Sequence, residues 1–452
     1  MTFRQLFFCA SLILPVPLWA QSKPDALVPT FNKDVAPIFQ ENCQTCHRPG
    51  EAAPMSLLTY EDARPWARAI KEKVVRREMP PWHADPASGE FENDRRLTDA
   101  QIQTITRWVD AGAQRGNPAD LPAPKKFVDG WTIGAPDAVF TMSTEQRIGP
   151  NGLDEYLYFA LPTNFAEDKY VQAVEIRPGN RRIVHHVVAY VQRGGAGVPL
   201  RTNVDNYNRI TGANFFRAEG AALRVNDGAP VYNDSCSLPN GGSALSGDVT
   251  GGARPIVGLY APGMPAVVMP DGIAQKIPAG SEILFQIHYT KTGKDEVDRT
   301  SIGLVFSKQP PKQVMLSRWV QNYYFRIPAN DPNFEAKGCY TFDQDVDIYS
   351  FTPHMHVRGK DMTFRFVYPD GRSEIALSVP KYDFAWQIRY VLKKPMHVPA
   401  GTRVEVIAHY DNSVGRKGNP NPNTDVRWGD PTSDEMLVGM MTYIPSHTTK
   451  TD

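Results

Sequence analysis

The sequence predicts a multidomain chain, a small all-α domain followed by two tandem all-β sandwiches. Three observations predict it. Apolar residues recur at helical spacing on both sides of residues 43–47, at Phe31, Val35, Ile38 and Phe39 and again at Ile102, Ile105, Trp108 and Val109. Beyond Gly130 the texture becomes short alternating runs divided by Gly, Pro, Asn and Asp, with hardly a helical period left. Inside that β-rich part, IPAGSEILFQIHY from Ile277 matches VPAGTRVEVIAHY from Val398 at a constant offset, as expected of two related units. Length agrees, because 452 residues exceed one ordinary core and suggest about three domains.

The elements follow in order. Arg4 precedes the apolar run LFFCASLILPVPLWA, which ends at Ala20, so residues 1–20 read as a cleaved signal peptide and the mature chain as periplasmic or secreted. The run is short for a bilayer and no later stretch reaches spanning length, so no membrane span is expected. Phe8 is too large for the position before a lipidated Cys9. The helical domain is placed at 24–116. Its second helix starts in a capping box of Thr98 and Gln101 and stops at Gly112. NPADLPAPKK supplies a Pro-rich linker within 117–129.

The first sandwich is placed at 130–306, where EILFQIHYT sets Ile283, Phe285 and Ile287 on one face. SKQPPK, Ser307 to Lys312, is the hinge, and the second sandwich runs over 313–447, with a Pro-Asp-Gly turn closing MTFRFVYPDG. The Gly-rich stretch from Gly194 to Gly272 reads as long loops.

Charge excludes one class of partner, since 49 basic residues balance 49 acidic ones and nothing recommends nucleic acid. Cysteine usage is more pointed. Cys9 leaves with the signal peptide, Cys43 and Cys46 belong to a motif, and Cys236 and Cys339 remain as a candidate disulfide in an oxidising compartment.

That motif is CQTCH, Cys43 to His47, the attachment signature of a single covalent c-type haem: two thiols reach the porphyrin and the adjacent His47 reaches the iron. A dithiol redox pair or half a zinc site would call for a βαβ context or a second Cys pair. With helices on either side, the front domain looks like a small class I cytochrome c. Met79 in REMPPWH, 32 residues after His47, is the favoured second axial ligand, with Met55 and His83 as rivals. Met55 follows His47 by only eight residues, which leaves little chain to cross the ring.

Half of the ten histidines fall in three clusters, His185 and His186 in IVHHVVAYV, His288 in QIHY, and His354 and His356 in TPHMH. Strand residues two apart share a face, so His354 and His356 can hold one ion. Neighbours point apart, so His185 and His186 can share a metal only at a bulge or a strand end. Lone histidines such as His397 and His447 read as ordinary. Imidazoles suit copper, zinc, iron or nickel, and an added thioether selects copper. Met436, Met440 and Met441 in TSDEMLVGMMTYI are the candidates for it.

Taken in order, HH in an apolar strand, a strand ending HY, HMHVRGK and then TSDEM, the chain from Asp154 to Tyr443 resembles the copper type II ascorbate-dependent monooxygenases. These are the peptidylglycine α-hydroxylating and dopamine β-monooxygenase group. The resemblance implies two jelly-roll-like sandwiches with two coppers facing each other across an open cleft. His185, His186 and His288 would hold the electron-transfer copper, and His354, His356 and Met436 the copper where dioxygen reacts. Peptide-amidating members carry an Arg and a Tyr where this chain has Thr352 and Met440, so a peptide carboxylate loses its partners. His409 repeats the place of His288 and is expected to act behind the ligands or structurally.

The implied activity is copper-dependent hydroxylation of a C–H bond in a small organic substrate by O2. Electrons would pass from a periplasmic donor through the tethered haem. Two other readings stay open, oxidation of a small inorganic or one-carbon substrate, and a haem and copper electron-transfer or copper-binding protein with no oxygenase activity.

Overall fold

The computed structural model describes residues 28–51, 53–152, 154–195, 216–219, 222–238 and 255–446. The expected signal peptide, Cys9 and His447 lie outside them. The described chain is mostly β, with a short helical region first.

In that region Phe31–Val35 forms a π-turn that runs into helix Ala36–Asn42. Helix Asp99–Asp110 starts in the expected capping box, with Thr98 and Gln101 each bonding the other's backbone N–H. Gly112 follows at φ +89°, a left-handed position that costs an L side chain energy. Helices Tyr60–Ala63 and Ala67–Val75 were not anticipated; Pro65 interrupts the segment between them, and Ala63, Ala67, Ile70 and Val74 are the residues they bury. Phe31, Phe39, Ile105 and Trp108 meet in one small core.

Two pairs of sheets follow. In the first pair, one sheet runs Ala138–Thr141, Ser301–Phe306, Lys169–Arg177, Ile273–Ile277 and Gln313–Val314. The other runs Glu155–Pro162, Ser281–Tyr289, Val184–Arg193 and Ile256–Tyr260. Val174, Ile176, Val187, Ile283, Phe285 and Leu304 fill the space between them, which is the alternation the sequence showed. In the second pair, one sheet runs Leu316–Gln321, Val438–Pro445, Val346–His354 and Tyr390–Val398. The other runs Phe334–Thr341, Arg403–Tyr410, Gly359–Val367 and Ser373–Val379. The chain crosses between the pairs at Met315, just past the expected hinge, since Gln313–Val314 still pairs with Ile273–Ile277.

The repeated segments are central strands, Ser281–Tyr289 and Arg403–Tyr410, each preceded by a Pro-Ala-Gly turn. Gly280 and Gly401 take φ +66° and +82° there, which only glycine adopts without cost.

Two expectations need correction. The Gly-rich stretch is not all loop, since it contains strands Phe216–Glu219, Ala222–Val225 and Ile256–Tyr260. The linker is not a free tether either. Gln40 Nε2 donates to the Ala123 carbonyl at 3.1 Å, and Arg48 lies 4.2 Å over the Phe127 ring. Residues 82–96 run along the second sheet pair: Asp85 N–H donates to the Ser378 carbonyl, Glu92 N–H to the Val391 carbonyl, and Trp82 packs 4.9 Å from Tyr390. Prolines set a direction for the chain there, and buried aromatic area holds it down.

Cys236 and Cys339 are bonded, which closes 103 residues of chain and fastens the segment before Leu238 to strand Phe334–Thr341. Among the described residues no helix is long and apolar enough to cross a membrane.

Candidate metal centre

The site begins with an irregularity at the start of strand Val184–Arg193. Against Ser281–Tyr289, His288 lies opposite His186 while Tyr289 lies opposite Val184, so His185 is the extra residue of a bulge. The bulge turns two neighbouring imidazoles to one side. The ligand atoms of His185, His186 and His288 lie within 4.8 Å of one another, and the two Nδ1 atoms of His185 and His186 are 3.3 Å apart.

His288 is fully buried. Its Nε2 sits 2.9 Å from Asp154 Oδ2, and its Nδ1 is buried with no hydrogen-bond partner. A ring N–H given to a carboxylate fixes the tautomer and raises the basicity of the opposite nitrogen, an arrangement made for a metal. Tyr156 stacks on this ring at 4.3 Å and ties its hydroxyl to Thr432 of the second sheet pair.

The second ligand set is built the same way. Strand Val346–His354 ends at His354, and His356 follows in the turn, its ring 5.4 Å from that of His354. His354 Nδ1–H donates to Gln387 Oε1 at 2.8 Å and His356 Nδ1–H to the Asp434 carbonyl at 3.2 Å, leaving both Nε2 atoms with a lone pair. The buried Glu435 carboxylate gathers the backbone N–H groups of His356, Arg358 and Met436, so one side chain binds the His-x-His turn to the methionine. Burial pushes its carboxyl up to about 7.

Where an open cleft between two sets was expected, the rings of His186 and His354 stand 5.9 Å apart, edge to face. Five histidines from both sheet pairs therefore form one cluster. Phe384 is wedged into it, stacked on His185 at 4.7 Å and 5.9 Å from His356. Burial pushes His185 down to about 3 and His354 to about 4, so the imidazoles are held neutral, the form that binds metal.

Met436 is half-buried and shares with His186, His354 and Gln387 the end of a cavity of about 510 Å³ between the sheet pairs. Met440 lines that cavity, and Thr352 is its cross-strand partner, so the two positions that differ from the peptide-amidating pattern sit side by side. Met441 points into the sandwich core.

His409 does not join the cluster. Its Nδ1 lies 2.7 Å from Asp361 and its Nε2 3.3 Å from Glu335. His397 is exposed beside Asp347. A second grouping of metal-binding side chains, Asp234 with Cys236 and Cys339, has both sulfurs committed to the disulfide.

The CQTCH segment forms a turn after helix Ala36–Asn42, with His47 N–H donating to the Cys43 carbonyl. His47 Nδ1–H donates to the Met55 carbonyl at 3.2 Å, which leaves the lone pair on Nε2. Burial pushes the Cys43 thiol up to about 12. Met79 is half-buried beyond helix Ala67–Val75, and no contact places its side chain beside His47.

This turn abuts the sandwiches. Glu51 pairs with Arg181 at 2.5 Å, four residues before His185, and Arg95 donates to the Gly263 carbonyl at 2.9 Å. A methyl group added at Gly263 would lie 3.8 Å from both Cys46 Sγ and Trp386, the residue before Gln387.

Asp154, Phe384, Gln387 and Glu435 were not anticipated from the sequence. Each acts on a histidine distant in the chain, and of the four only Glu435 sits inside a motif the sequence had singled out, TSDEM.

No protein-family model matches this chain, and no curated protein matches it. Among solved structures it is similar to the VP2 subviral particle of infectious bursal disease virus, at 10% identity over 69% of this chain and 72% of that one, with a TM-score of 0.20. The structure of the Gx strain of that virus gives 8% identity over 69% and 73%, with a TM-score of 0.19. Scores at this level carry no argument about fold or function.

Proposed function

We propose that the chain is an exported copper-dependent monooxygenase. It hydroxylates a C–H bond of a small organic substrate with O2 and takes its electrons through a covalent c-type haem. In this reading residues 24–116 are a class I cytochrome c domain, and the sheet pairs are two jelly-roll-like copper domains. The observation that supports it most is the convergence of five neutral histidines, four of them buried, with Met436 close by, at a cavity.

The donor set suits two coppers, one at His185, His186 and His288 and one at His354, His356 and Met436. Imidazole with a thioether is the choice of copper over harder ions. Copper there would supply one-electron chemistry and the activation of dioxygen.

The protein's own part is geometric. Asp154, Gln387 and the Asp434 carbonyl hold the ring N–H groups so that the free nitrogens converge, and Glu435 keeps Met436 beside the His-x-His turn. Phe384 keeps water from the rings it covers. Hydroxylation consumes one O2, two electrons and two protons and releases water. Cys43, Cys46 and His47, together with Met79, are the residues that would hold a haem, which when bound would supply one-electron transfer.

Oxygen uptake and metal content of Met436→Ala beside the parent test this. Uptake should collapse while haem absorption and most histidine-bound copper persist. Iron without copper in the parent overturns the proposal. Copper without uptake in the parent leaves an electron-transfer protein.

A further inference from the structure

The cavity carries its own chemical signature. Its walls come from both sheet pairs, with Val188 and Leu259 on one side and Trp319 and Met440 on the other. At about 510 Å³ it falls in the range that encloses a small organic molecule.

Its charged residues are mostly engaged elsewhere, although the buried Arg318 Nε–H has no hydrogen-bond partner. Lys276 pairs with Asp168 at 2.6 Å, and the Arg318 guanidinium lies 4.4 Å over the Tyr340 ring. Asp430 accepts the Leu223 N–H at 2.9 Å, and burial pushes its carboxyl up to about 7. An anionic ligand would give up hydration here for a single cation, Arg318, already stacked on an aromatic ring, and would meet the Asp430 carboxyl as well.

Two side-chain amide atoms also wait for a partner. Gln387 spends its Oε1 on His354, and its Nε2 is buried and unbonded at the metal end. Gln275 spends its Nε2 on the Ile256 carbonyl at 3.1 Å, and its Oε1 is buried and unbonded. Both amide orientations are fixed by those bonds, so the first offers a donor and the second an acceptor.

We infer that this cavity binds a neutral, mostly apolar alcohol or phenol. Its hydroxyl is held by Gln275, and an oxygen or π-face near the reacting carbon meets Gln387 Nε2. This rests on the oxygenase reading for the statement that the ligand is the substrate. The binding chemistry stands on the cavity alone.

Calorimetry on the full-length, cofactor-loaded protein tests it with 2-naphthol, naphthalene, 2-naphthoate and N-benzoylglycine as probes. The neutral phenol should bind roughly tenfold more tightly than naphthalene, the value of one neutral hydrogen bond, and more tightly than either carboxylate. Gln275→Leu should erase the difference between 2-naphthol and naphthalene, and Met440→Trp should abolish binding of all four. A carboxylate binding as well as 2-naphthol, or a phenol preference surviving Gln275→Leu, overturns the inference. If the phenol preference holds but 2-naphthol stimulates no oxygen uptake, the oxygenase reading fails and the cavity assignment stands. If copper loads, uptake occurs and the carboxylates bind best, the reverse is true.

Discussion

His288 and His409 occupy equivalent positions in two strands of nearly the same sequence, yet they end in opposite surroundings. His288 is fully buried, with Asp154 on one nitrogen and nothing on the other, and faces four more imidazoles. His409 is partly exposed and gives both nitrogens to carboxylates. The strand of His288 lies in the sheet that borders the other sandwich, as the cavity lining shows. That of His409 lies in the sheet that contributes no cavity residue. A repeat copies strand, turn and residue. Whether the histidine becomes a ligand is decided by which face of the sandwich the partner domain covers.

The comparison can be broken or sharpened by mutation. The largest effect is expected from His288→Ala, which should remove one copper per chain and nearly all oxygen uptake. His409→Ala should leave both intact, as elemental analysis and an oxygen electrode will read. Asp154→Asn keeps the shape of the site but weakens the hold on the His288 ring. Copper affinity should fall roughly 10–100-fold in a competition titration, while Asp361→Asn changes nothing there.

Asp430 extends the contrast to carboxylates. Outside, Asp361 and Glu335 serve an imidazole. At the interface Asp430 is pushed up to about 7 by burial, so the unfolded chain releases this proton at lower pH than the folded one. Stability from this group is thus present in acid and lost as pH rises from the ordinary carboxylate range through about 7. Asp430→Asn should flatten that part of the denaturation profile. The smallest effect is left to His409→Ala on stability, within about 1 kcal/mol in urea titration, because its ion pairs are solvent-accessible.

Much of this was legible in the sequence, for identifiable reasons. The capping box of Thr98 and Gln101 is a local rule and appears as expected. The bulge at His185 follows from asking how adjacent strand residues could share a metal. The five histidines came from residue type and spacing, and the family resemblance assigned them to two sets.

What escaped is long-range. Asp154 meets His288 across 134 residues, and Gln387 meets His354 from a loop with no periodicity. The contact between the two sets depends on how the sandwiches dock, which no strand pattern encodes. The docking of residues 82–96 on the second sheet pair was hidden likewise, because the sequence assigned this segment to the front domain, whereas Trp82 and Phe91 are buried against Tyr390.

The central claim is that histidines from two sandwiches form one copper-loaded cluster beside a haem. The copper-to-iron ratio of the purified, fully loaded protein tests it most directly, measured for the parent, His288→Ala and His409→Ala. The account predicts two coppers per iron in the parent, one in His288→Ala and two in His409→Ala. A parent that carries iron and no copper, or a His409→Ala protein that loses as much copper as His288→Ala, would contradict it.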